Sequence, residues 1–173
     1  PHPGQDFDVV LEDDRRDLHI SRYVGDKDKV EQLFERLERG RPVATWDLVS
    51  MVAYDDDRFS RNGKKIRYGL ALQITPEMLA SANELWQKVD AAKGALSDDH
   101  IWKFCFLEPA QEYHESNGTS GAPIFVNGKV VGANESIIKV PRTWDREEFY
   151  RLPYEQQCYY LSVFTTLYEE DFE

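Results

Sequence analysis

The sequence is short of basic residues, of cysteine and of long apolar runs, and each shortage closes off a class of function. Lysine and arginine number 21 against 32 aspartates and glutamates, a net charge of −11. Such a surface repels a phosphate backbone on average, so generic binding to nucleic acid or to an anionic membrane is disfavoured. No apolar run approaches the ~20 residues that a helix needs to cross a bilayer, and no membrane partner is expected. Residues 1–10 lack the basic-then-apolar layout of a signal peptide. A cytoplasmic location is the expectation, with secretion after signal removal left open. Cys105 and Cys158 are too few for a disulfide scaffold and are expected to be reduced and buried. The four histidines form no i, i+4 pair and there is no Cys-x-x-Cys, so neither metal nor cofactor is expected. Asp55-Asp56-Asp57 lacks the alternating ligands and the glycine of an EF-hand loop and reads as a solvated turn.

What is present describes a folded chain. Of the 173 residues, 41% are hydrophobic and 13% aromatic, too many for disorder despite the charge. There is no internal repeat and no linker, so residues 1–173 are read as one globular domain. Alternating residues predict strands at 6–11 and 18–24. Asp26 or Asp28 caps a helix expected to reach about Arg39, with Val30, Leu33, Phe34 and Leu37 on one face. Strands are expected at 43–54 and 66–74, joined by a hairpin through Asn62-Gly63. Thr75-Pro76-Glu77 opens a second helix that Gly94 closes. A strand at 101–107 follows, then a second Asn-Gly hairpin, 122–126 with 129–140 around Asn127-Gly128. Residues 143–172 look helical, capped by Asp145 and broken at Pro153. Within them, 159–168 is ambiguous, because Val163, Thr165 and Thr166 favour a strand. The expected fold is α+β: a mostly antiparallel sheet of about five to seven strands with about three helices.

The sharpest local motif is Gly118-Thr119-Ser120-Gly121-Ala122-Pro123, followed by an apolar strand, a tight turn and a second strand reaching Gly132. Glycines on both sides of a serine let the backbone expose the hydroxyl and turn N–H groups toward a developing oxyanion. Residues 118–132 resemble the nucleophile loop of trypsin-like serine proteases. The resemblance implies Ser120 as nucleophile and the N–H groups of Gly118 and Ser120 as oxyanion hole. In the family's order of His, Asp, Ser, it implies His19 and Asp47 as base and orienting acid. The rest of the chain departs from that pattern. His19 lacks the small-residue context, and two expected helices fall where the family builds β-barrel. The same residues also resemble the phosphate-binding loop of adenylate-forming ligases, but Ile124 and Phe125 stand where a lysine usually follows.

Other features point to contact rather than chemistry. Arg58, Arg61, Lys64, Lys65 and Arg67 crowd the first hairpin without an intervening acid, a local anion-attracting site on an acidic protein. Tyr150, Tyr154, Tyr159, Tyr160, Phe164 and Tyr168 enrich the C-terminal segment in residues typical of interfaces. Cys105, in an apolar context, pairs with His100 or His114 as a thiol-and-base candidate, though an inert buried thiol is the plainer reading. Asn117-Gly118-Thr119 and Asn134-Glu135-Ser136 are glycosylation sequons. The expected function is therefore an acidic, soluble interaction domain of inhibitor, effector, immunity or regulatory type. Its protein partner would contact the aromatic C-terminal segment or the 58–67 hairpin. The alternative is a serine hydrolase, or a degenerate trypsin-like protease, using Ser120.

Overall fold

A computed structural model describes residues 6–33, 35–54, 64–93, 96–108 and 119–173. The Asn62-Gly63 turn, Asp55 to Asp57, Arg58, Arg61, Phe34, Gly94, His114, Asn117 and Gly118 lie outside the described residues, as do the side chains of Lys64 and Lys65.

Among the described residues, two antiparallel sheets and three helices form an α+β domain, as the residue patterns predict. Strands β1 (Phe7–Asp13) and β2 (Leu18–Tyr23) make a two-stranded hairpin. Six further strands close into a barrel: β3 (Leu48–Tyr54), β4 (Lys64–Gln73), β5 (Phe104–Leu107), β6 (Pro123–Val126), β7 (Lys129–Pro141) and β8 (Cys158–Thr166). Their order around the barrel is β3-β4-β5-β8-β7-β6, and every named pairing is antiparallel. Closure removes the sheet edges that an open sheet would leave unpaired.

The barrel interior follows from period-two alternation. Val49 and Met51, Phe104 and Phe106, Ile124 and Val126, Val131 and Phe164 all point inward and pack as one cluster. The helices lie outside. Helix α2 (Pro76–Asp90) starts as predicted, with Thr75 Oγ1 accepting from the Met78 N–H at 3.2 Å and Pro76 in the first turn. Its buried Trp86 donates Nε1–H to the Lys139 carbonyl at 2.9 Å, which pins the helix to β7. Helix α3 (Arg146–Arg151) packs Phe149 edge-on against Trp86. Thus the helical insertion between β4 and β5 coexists with a closed barrel, because it is laid against the outer wall.

Four sequence expectations change. The first helix, α1 (Lys27–Leu33), does not reach Arg39. There the chain joins β7 instead, with the Gly40 N–H on the Val130 carbonyl and the Val130 N–H on the Glu38 carbonyl, both at 2.8 Å. Residues 43–47 are a turn, not strand, because the Asp47 carboxylate accepts from the Ala44 N–H at 2.9 Å and folds the chain back on itself. Residues 101–103 likewise turn before β5 begins. Residues 143–172 hold one short α-helix and two single 3-10 turns, Tyr154–Gln156 and Glu169–Phe172. The ambiguous stretch is strand β8, since the barrel needs a partner between β5 and β7 and the β-branched residues suit that place.

The hairpin around Asn127-Gly128 forms as read. Both residues have positive φ, 51° and 76°, the pair of values a two-residue type I′ turn requires. Both cysteines are free and buried.

Candidate functional site

The Ser120 turn hangs on β7. The Ala122 N–H bonds back to the Thr119 carbonyl at 3.1 Å, closing a four-residue turn with Ser120 and Gly121 at its centre. Gly121 has φ +82°, the value that the third residue of a type II turn takes and that side chains disfavour. Asn134 clamps this turn from β7. Its backbone carbonyl accepts from the Gly121 N–H at 2.7 Å and its N–H donates to the Ala122 carbonyl at 2.8 Å. Its side-chain amide donates to the Thr119 carbonyl at 3.2 Å. Asn134 is buried in this role, so the second sequon presents no accessible amide in the folded protein.

Ser120 itself is exposed, and its hydroxyl donates to the Glu135 carbonyl at 3.1 Å. The residues that the protease resemblance implies as its partners bond elsewhere. His19 is exposed on β2 and its Nε2 meets Ser21 Oγ at 2.7 Å. Asp47 binds the Ala44 N–H and Arg41 Nη2, the latter at 3.1 Å. The Ala44 N–H, with Arg41 behind it, holds the Asp47 carboxyl below its ordinary range. No hydrogen bond links Ser120, His19 and Asp47 to one another among the described residues.

A different set of groups surrounds the serine turn. Glu135, whose carbonyl holds Ser120, sits at a register shift in β7 and sends its carboxylate to Lys103 at 2.7 Å. Lys103 is buried and Glu135 nearly so. His100 lies beside them half-buried, with Nδ1 unpartnered among the described residues. Burial pushes its pKa down, Glu135 opposes that shift, and Lys103 adds to it, so His100 is held toward the neutral imidazole. A serine, a neutral histidine and a buried Lys–Glu pair thus share one region of the wall. Sequence spacing does not single out Lys103 or Glu135, because their meeting depends on the β5–β8–β7 pairing.

The anion-attracting cluster loses a member. Arg67 points into the barrel, where it is buried and ion-paired with Glu108 over the Phe106 ring. It alternates with exposed Ile66 and Tyr68, so strand periodicity removes it from the surface. Cys105 faces the buried layer under α2 and donates Sγ–H to the Leu72 carbonyl, and burial pushes its thiol up to about 11. It is an inert core thiol at neutral pH.

The C-terminal aromatics are partly spoken for. Tyr160 and Phe164 are buried. Tyr150 donates to Asp90, while Arg142 sits over Tyr159 and Arg16 over Tyr168. An exposed apolar row lies elsewhere. Leu48, Leu70 and Leu107 stand side by side across β3, β4 and β5, 62%, 41% and 41% exposed. On the same face of β4, Ile66 is 67% and Tyr68 54% exposed. Among the described residues no group of three or more His, Cys, Asp or Glu is placed to hold a metal ion. No helix there is long and apolar enough to cross a membrane. Comparison with known proteins returns no matching family model, no matching curated protein and no matching solved structure.

Proposed function

We propose that this chain is a protein-interaction domain whose partner seats on the outer face of β3, β4 and β5. One observation carries the reading: the cross-strand row Leu48–Leu70–Leu107, extended along β4 by Tyr68 and Ile66. Single exposed leucines are ordinary, but a continuous apolar surface on three adjacent strands marks an interaction site. Ile66 belongs to the stem of the hairpin where partner contact is expected from the sequence. The test uses the triple variant Leu48→Glu, Ile66→Glu, Leu70→Glu beside the wild type. These side chains face outward, so the variant is expected to keep its circular dichroism spectrum and melting temperature. A protein retained in stoichiometric amount by the wild type, identified, purified and shown to bind it directly, is expected to lose the variant by at least about a hundredfold, given the cost of charge in an apolar contact. Equal affinity for both forms would remove this face as the interface.

A second reading, a serine nucleophile at Ser120, is favoured by the closed six-stranded antiparallel barrel. A β-barrel is the architecture that the resemblance of residues 118–132 implies, and Ser120 is exposed on a turn locked to its wall. Labelling with a fluorophosphonate probe, wild type beside Ser120→Ala, tests it. Labelling that vanishes in the variant supports an activated serine. No labelling of folded wild type leaves the turn as scaffolding.

A further inference from the structure

At the opposite end of β5 from the apolar face, a recess of about 590 Å³ opens between the β1–β2 turn, residues 98–103 and the end of β8. Trp102 forms one wall. Its indole is 67% exposed, although its backbone is tied down by the Trp102 N–H on the Ile74 carbonyl at 3.0 Å. Asp98 and Asp99 line the same recess, exposed, and their carboxylates carry no ion pair or hydrogen bond among the described residues. Two cations of the wall are already matched: Lys103 by Glu135 and Arg16 by the two oxygens of Asp171, each at 2.7 Å. Asp13 is committed to the N–H groups of Arg15 and Arg16. Arg15 remains on the rim as one uncompensated positive charge facing two uncompensated negative ones. Thr166 also lines the recess. It is 5% exposed, and its Oγ1 is buried without a partner among the described residues.

These features ask for a ligand that is cationic and flat or compact enough to lie on an indole. We propose that the recess takes the guanidinium or ammonium head of an arginine- or lysine-bearing peptide segment. The head stacks over the Trp102 indole and pairs with Asp98 and Asp99. Cation–π attraction is strongest at tryptophan, and the carboxylates add charge complementarity on a chain already at −11. This goes beyond the apolar-face reading and uses none of its residues, so either can fail alone.

The test titrates the intact chain with the peptide Ac-Arg-Arg-NH2 at physiological salt, following the indole N–H resonances by NMR. The citrulline analogue, isosteric and uncharged, is titrated alongside. The expected result is saturable binding of the arginine peptide only, with the Trp102 resonance moving. Trp102→Asn, which suits the left-handed φ of 72° at this position, is expected to weaken binding by about tenfold. Asp98→Asn with Asp99→Asn should weaken it comparably and gives a second variant at exposed positions. Glu31→Gln with Glu155→Gln, acids outside the recess, should leave it unchanged. Overturning results are no saturable binding, equal binding of the citrulline peptide, or an equal loss in the Glu31/Glu155 control. The last would mean that only the overall charge attracts the peptide.

Discussion

His100 connects local burial to a measurable pH dependence. Its pKa is lowered mainly by burial, so the folded protein resists the proton that the unfolded chain accepts near pH 6.5. The stability associated with neutral His100 is full above that value and falls as pH drops toward the folded pKa. His100→Gln is expected to flatten this part of the curve, read as melting temperature between pH 7.5 and 5.5. Parallel curves for the two proteins would show that His100 is not the group responsible. The neighbouring Lys103–Glu135 pair makes a second residue-scale prediction. Lys103→Met leaves a largely buried carboxylate unpaired and should cost about 3 kcal/mol in urea unfolding. Adding Glu135→Met should recover most of that loss, because the orphaned charge goes with it.

At the scale of elements, local signals succeed where the backbone has a specific demand. Asn127-Gly128 is a turn in sequence and in structure because positive φ is costly for other residues. Gly128→Val should therefore lower stability by about 1–2 kcal/mol in denaturant unfolding, with the fold retained. Thr75-Pro76 marks the start of α2 for a similar reason, since an open helix end needs an acceptor for its free N–H groups. Local signals fail where two conformations compete. The 3.6-residue pattern of Val30 to Leu37 suits a helix, yet residues 38–40 bond to Val130 of β7 and the helix ends at Leu33. Residues 158–166 are the reverse case, where the length of an apolar, aromatic run suggests helix and the free place in the barrel selects strand.

Across the whole molecule, the barrel has an uneven wall. β7 and β8 pair from Gly132–Thr166 to Pro141–Cys158, whereas β3 and β6 meet only at Ser50–Phe125 and Met51–Ile124. The β3–β6 seam is the cheapest place to open the sheet. Native-state hydrogen exchange should find the amides that bond across this seam exchanging well before those between β7 and β8. If the seam is protected as strongly as β7–β8, the barrel opens only by global unfolding. The seam also ties the Ser120 turn to the rest of the wall, because β6 begins three residues after it.

The sequence by itself determined what depends on neighbours along the chain: the α+β class, the pairing of β3 with β4, the Asn127-Gly128 hairpin and the start of α2. Each rests on a short-range steric or hydrogen-bonding demand that few residue types satisfy. Only the tertiary structure decided what depends on strands far apart in the chain. Barrel closure turned Arg67 inward against Glu108 and brought Lys103 to Glu135. It also lined up Leu48, Leu70 and Leu107 on one outer face. Register across a barrel is a property of all six strands at once, so no window of sequence contains it.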